Sequence, residues 1–286
     1  MLRSTSRFCA AVISIARGIA ERVLSSALTT VSKQYLIIMQ PQVDPFIAPP
    51  CVEQISIVYQ DEHLLVINKP SGLLSLSGKH PLNKDSVHWR LVQDFPTATL
   101  IHRLDFGTSG LMIVALNKAV NKQLCEQFSQ RSVTKYYQAI LDGALLINGQ
   151  QQVGQGGEIN IPIIKDADNF PLQKVCQQTG KTAISQYQVI SYDAYDAYDA
   201  SCFLSSELSF NSDSITTKVL FKPLTGRTHQ LRIHSREIGH PIIGCDLYDA
   251  GQSYFKAPRL MLHASRLIFS HPVSGSEMDV QLAAPF

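Results

Sequence analysis

Residues 101–118 read IHRLDFGTSGLMIVALNK. Within them LMIVAL (111–116) is a short, uninterrupted apolar run, the pattern of a strand covered on both faces. Just ahead, His102, Arg103 and Asp105 crowd into a loop with Phe106, Gly107 and Gly110. A reactive group on a turn held by a buried strand is rigidly supported, so this loop is the first candidate site. The segment that follows, NKAVNKQLCEQF (117–128), repeats apolar residues at Val120, Leu124 and Phe128, which predicts a helix packed on the strand.

Outward from this centre the pattern stays compact. QISIVYQ (54–60) and HLLVINK (63–69) predict two strands around a turn at Asp61-Glu62, with a second turn at Pro70-Ser71-Gly72. SVHWRLVQDF (86–95) places Val87, Leu91, Val92 and Phe95 on one helical face. TKYYQAIL (134–141), AISQYQVI (183–190), ITTKVLFK (215–222), RLMLHASRLIF (259–269) and MDVQL (278–282) read as further strands. THQLRIHSREIG (228–239) reads as a helix stopped by Gly239 before Pro241. YDAYDAYDA (192–200) is a repeat too short for a solenoid, and with the polar stretch to Ser214 it reads as a surface loop. Strands outnumber helices and the helices are not regularly interleaved, so the expected fold class is α+β.

The chain of 286 residues is 45% hydrophobic and 17% charged, enough for one large domain or two small ones. Its longest apolar runs are too short to span a bilayer as a helix, so no membrane association is expected. The cysteines at 9, 51, 125, 176, 202 and 245 are scattered with no C-x-x-C pair, as for reduced thiols in a cytoplasmic protein. Residues 1–38 carry five basic residues against Glu21 alone. The total is +2, so residues 39–286 sum to −2, and any affinity for nucleic acid must come from local basic patches. The Arg- and Ser-rich residues 1–38 read as an extension, with Met39 an alternative start and organellar targeting the competing reading. Residues 40–50 hold four prolines and read as an extended linker. The expected organisation is an extension and linker over 1–50, without ordered structure, and one catalytic domain over 51–286.

Two further stretches carry candidate chemistry. PLTGRTHQLRIH (223–234) gathers Arg227, His229, Arg232 and His234 at the start of a helix. The plain alternative is a solvated helix face. His229 and His234 are five apart and so on different faces, with no carboxylate at ligand spacing, so no metal is expected. In TKYYQAIL, Tyr136 and Tyr137 point to opposite faces of a strand. The DFG string at 105–107 is not a kinase signature, because no glycine-rich loop precedes it and its His-Arg lies in the same turn.

Taken together these stretches resemble the RluA-type pseudouridine synthases, enzymes that modify ribosomal and transfer RNA. The resemblance covers about residues 55–285. It runs through YQDEHLLVINKPSGLL, HRLDFGTSGLMIVA, the K-x-Y-x-A of residues 135–139, PLTGRTHQLRIH with GHPIIGCDLY, and PRLMLHA. The chain departs from the family pattern at Cys245, in the Tyr-Asp-Ala stretch, and in lacking an S4-type domain ahead of the core. That points to the compact branch, whose best-known member acts on both large-subunit ribosomal RNA and the tRNA anticodon stem-loop. The resemblance implies a mixed, mostly antiparallel central sheet around an active-site cleft, and no cofactor.

It also implies roles. Asp105 acts as nucleophile or proton shuttle at the sugar, and Arg227 is its cationic partner through a planar, bidentate fork. Tyr137 stacks on a flipped uracil. Arg103 fills the space that the base vacates, Lys69, Lys135 and Arg232 contact phosphates, and Gly107 and Gly110 let the RNA backbone approach closely. The role of His102 is open between structural support and an RNA contact. The expected partner is an RNA stem-loop, bound by a monomer with no obligatory protein partner. A catalytically inactive RNA-binding homologue and a nucleoside hydrolase are the rival readings.

Overall fold

Asp61 turns the chain back on itself early. Its Oδ1 accepts the backbone N–H groups of His63 and Leu64, both at 2.8 Å, and so joins β1 (Ser56–Gln60) to β2 (Leu64–Lys69) as an antiparallel hairpin. The chain then runs through α1 (Val87–Asp94), β3 (Thr99–Leu100), β4 (Ser109–Ala115), α2 (Lys118–Ser129) and β5 (Thr134–Asp142). There follow β6 (Gly156–Asn160), β7 (Ile163–Lys165), β8 (Gln173–Val175), β9 (Ile184–Ala194) and β10 (Ile215–Pro223). The last elements are α3 (Gln230–Glu237), the single turn α4 (Gln252–Phe255), β11 (Leu262–Ser270) and β12 (Glu277–Gln281). The computed structural model describes residues 46–194, 215–248 and 252–286, and the described chain from Ile47 onward is one compact unit.

Ten of these strands form one sheet, in the order β1-β2-β4-β11-β5-β10-β9-β6, with β12 added to β11 and β3 to β4. The pairings are antiparallel except that of β4 with β11. The sheet is therefore mixed and mostly antiparallel, and the fold is α+β. β7 and β8 make a separate two-stranded ribbon.

Every residue of β4 is buried, and the alternation of a strand explains how. Leu111, Ile113 and Ala115 join Leu64 and Val66 beneath Val120 and Leu124 of α2. Met112 and Val114 join Leu65 and Ile67 beneath Val87 and Leu91 of α1. One helix covers each face, and each large aliphatic side chain so enclosed stabilises the fold by about 1.5–3 kcal/mol. Both helices are capped as their sequences suggest. Ser86 accepts the Trp89 N–H at 3.1 Å and Asn117 the Val120 N–H at 3.0 Å.

Two expectations change. The Tyr-Asp-Ala stretch does not begin as a loop: Tyr192, Asp193 and Ala194 continue β9 and pair with Thr217, Thr216 and Ile215 of β10. Its remainder lies outside the described residues, as does the extension over 1–38. The polar helix α3 is no solvated face either, because its residues from Gln230 to Ser235 are all buried.

Candidate active site

The loop 102–108 is sewn to the turn that follows β2. The Ser75 hydroxyl donates to the Leu104 carbonyl at 2.7 Å and accepts the Leu104 N–H at 3.2 Å. The Phe106 carbonyl accepts from Gly72 N–H at 2.9 Å and from the Lys69 ammonium at 3.2 Å. The Ser71 hydroxyl donates to the Gly107 carbonyl at 2.7 Å. At the other end His102 Nε2 accepts the Ile113 N–H at 3.0 Å, and its ring stacks 4.8 Å from Phe128. Burial, with the charge of Lys135, pushes the His102 imidazole down to about 3, so at neutral pH it is the uncharged acceptor this bond requires. Two polar side chains of the loop remain open to solvent. Arg103 is exposed, and the Asp105 side chain is 27% exposed.

Lys69 is fully buried, and its Nζ donates to Pro70 O at 2.8 Å as well as to Phe106 O. Burial pushes its ammonium down to about 7 despite the opposing pull of acidic groups that include Asp105. The expected phosphate contact is corrected: this lysine braces the Asp105 loop from below. The glycines are corrected too. A Cβ on Gly110, whose φ is +113°, would lie 2.3 Å from the Ala264 carbonyl, and one on Gly107 would lie 3.1 Å from Leu260. Both admit the chain around β11, where Gly110 pairs with Ala264, rather than a close RNA backbone.

Tyr137 stands on β5 between Phe221 of β10 and Ala264 of β11. Burial, and then the charge of Asp105, push its phenol well up, so it stays protonated. Lys135, on the same face two residues earlier, spreads over the Phe128 ring at 5.8 Å. Its Nζ lies 4.0 Å from where a Gly226 side chain would begin. That places Lys135 between the His102 end of the loop and the Gly226-Arg227 turn.

Gln230 organises the third wall. Its Oε1 accepts from Thr225 Oγ1 at 2.7 Å and from Arg227 N–H at 3.0 Å, while its Nε2 donates to Ile184 O and Ser185 Oγ, each at 2.9 Å. The turn so fixed does not pair Arg227 with Asp105. Arg227 Nε donates to the Thr182 carbonyl at 3.0 Å, and among the described residues the basic side chain within 4.0 Å of the Asp105 carboxylate is His229, with Nε2 4.0 Å from Oδ1. Arg232 is 3% exposed and paired with Asp246, and it donates to Cys245 Sγ at 3.4 Å from both Nε and Nη2. This is a further correction, because a guanidinium so enclosed has no face left for a phosphate. Cys245, the departure noted in the sequence, is itself buried against Arg232 and leaves Asp246 free to reach the same guanidinium.

His229 and Tyr248 escaped the sequence reading. His229 was visible only as one member of a basic cluster, and Tyr248, nineteen residues further on, gave no signal. The Tyr248 hydroxyl accepts the Gln173 N–H at 3.0 Å and lies 2.5 Å from His229 Nδ1. Asp105, Tyr137 and His229 thus meet from a loop, a strand and a helix start. They form a half-open carboxylate flanked by a protonated phenol and an imidazole, suited to acid–base or nucleophilic work on a nucleotide.

This arrangement has relatives. Residues 63–237 match the family described as RNA pseudouridylate synthase. The chain is 44% identical over 230 residues to the dual-specificity RNA pseudouridine synthase RluA of Yersinia pestis, covering 80% of this chain and 99% of that protein. It is 40% identical over 238 residues to the protein of the same name from Escherichia coli K12, covering 83% and 97%. Among solved structures, human RNA pseudouridylate synthase domain containing 1 superposes with a TM-score of 0.65 at 31% identity, covering 83% of this chain and 86% of that one. The loop, the sheet that holds it and these likenesses together place the chain in the RNA pseudouridylate synthase family, as an isomerase acting on RNA.

Proposed function

We propose that the protein converts specific uridines to pseudouridine in large-subunit ribosomal RNA and in the tRNA anticodon stem-loop, acting as a monomer in the cytoplasm. The observation that supports this range of targets is the match, across nearly their whole length, to relatives named for dual specificity. Unpaired thiols at Cys51, Cys125, Cys176 and Cys245 suit a reducing compartment.

In the proposed reaction the target uridine is flipped from its stack, at a cost of a few kcal/mol. Exposed Arg103 occupies the gap with its flat guanidinium. The uracil lies against Tyr137 while Asp105 attacks C1′ or moves a proton at the sugar. The C1′–N1 bond breaks, the base turns, the C1′–C5 bond forms (with the Asp105 oxygen leaving C1′ where it had attacked), and the proton leaves C5 as N1 gains one. Nothing is oxidised or reduced. Arg227 supports the carboxylate once RNA fills the cleft, and Lys135 meets the backbone.

The test is release of tritium from RNA labelled at uridine C5. Wild-type protein should release it, and Asp105→Asn should reduce release by at least about 10⁴-fold with RNA affinity kept. Release unchanged in Asp105→Asn removes that residue from the chemistry. No release by the wild type supports an inactive RNA-binding homologue, and free uracil in place of pseudouridine supports a hydrolase. Mapping pseudouridine in both RNAs of a deletion strain checks the targets, since loss from neither discards the dual assignment.

A further inference from the structure

The pair His229–Tyr248 is built to present one particular nitrogen to Asp105. The Tyr248 oxygen accepts a backbone N–H from Gln173, so its own proton is available for His229 Nδ1, 2.5 Å away. An imidazole that accepts at Nδ1 carries its hydrogen on Nε2. That nitrogen faces Asp105 Oδ1 at 4.0 Å, a separation that tightens to a hydrogen bond when substrate orders a site. Burial pushes the His229 imidazole down, against the pull of Asp105 and Asp246 and with the push of Arg232, which keeps it neutral.

The backbone points the same way. His229 has φ +56° and ψ +20°, left-handed values at the residue that opens α3, where its side chain makes no capping bond. A histidine there costs about 1–2 kcal/mol over a right-handed residue. Strain of this kind persists where the surroundings over-determine it, and here the edge contact with Tyr248, at 5.4 Å between ring centroids, holds the ring. The side chain that ought to cap the helix is turned to the carboxylate instead.

We infer that His229 is a positioning residue for Asp105, with Tyr248 fixing the tautomer that puts an N–H donor at Nε2. The inference rests on the role of Asp105 proposed above. It makes Tyr248, and through it the β7–β8 ribbon that carries Gln173, part of the active site's support.

Glutamine can place an amide N–H near the Nε2 position, whereas asparagine tolerates the left-handed backbone but is too short to reach. The experiment measures single-turnover pseudouridine formation, RNA affinity and thermal melting for His229→Gln, His229→Asn, Tyr248→Phe and the Tyr248→Phe/His229→Gln double variant. The expected result is a rate within about tenfold of wild type for His229→Gln and about 100-fold lower for His229→Asn, the loss that a misplaced reacting group produces. RNA affinity and melting stay unchanged in both. Tyr248→Phe slows the wild type but adds nothing once glutamine replaces His229. Equal rates for the asparagine and glutamine variants, parallel losses of rate and RNA affinity, or additive effects of the two positions would each overturn the inference. Asp105→Asn is run beside them. If it is inactive while His229→Asn is fully active, only this inference fails; if Asp105→Asn is itself active, the parent assignment fails first.

Discussion

His102 shows how much a single side chain is asked to do. Its motif neighbours suggest an RNA contact, yet its Nε2 is already engaged by the Ile113 N–H and its ring by Phe128. The bond demands a neutral ring. The imidazole takes its proton near 6.5 when the chain is unfolded and near 3 when folded. Between those values the unfolded state binds the extra proton, so stability is full above about pH 6.5 and falls as pH drops towards 3. His102→Gln, which keeps an acceptor but cannot charge, should therefore lose less stability than wild type between pH 7 and pH 4.5. The difference should be about 2–3 kcal/mol in urea unfolding. Identical slopes for the two proteins would show that His102 charges as readily in the fold as out of it.

The Asp105 loop behaves as an element without regular structure, and its rigidity is borrowed. Ser75 supplies both a donor and an acceptor to Leu104 from inside the core, one residue before the half-buried Asp105. Ser75→Ala leaves a buried N–H and a buried carbonyl unsatisfied, which costs about 1–3 kcal/mol. Because the loop is short, that cost falls on the placement of Asp105. Turnover should drop by about tenfold or more with little change in RNA affinity, as read from single-turnover rates beside binding curves. A loss of stability with full turnover would mean that the loop is held mainly by Gly72, Ser71 and Lys69. The loop was legible as a site because its charged residues stand directly against an apolar run. That both glycines serve packing rather than RNA was not legible, because Gly110 is required by the Ala264 backbone, more than 150 residues away in sequence.

Over the whole molecule the charge balance limits how RNA can be held. Residues 39–286 sum to −2, and Lys69 and Arg232 are enclosed rather than exposed. Lys135, proposed to meet the backbone, and Arg103 and Arg227, proposed to sit in the cleft beside the RNA, remain as the cations that can replace counterions, so log affinity against log salt should fall with a slope of about −2 to −3. Arg103→Ala should lower that slope by about one. A slope near −5, or no change in Arg103→Ala, would require a basic surface elsewhere on the protein.

Local pattern in the chain was enough to read the strand at 111–116, the helices at 86–95 and 117–128, the α+β class and the loop that carries Asp105, because apolar runs, helical periodicity and turn chemistry act over a few residues. Tertiary structure alone chose His229 over Arg227 as the neighbour of Asp105, enclosed Lys69 and Arg232, and brought Tyr248 to the site. Those outcomes depend on how the fold brings together segments from 13 to 124 residues apart, and on which side chains burial then leaves room for. No short-range pattern encodes either.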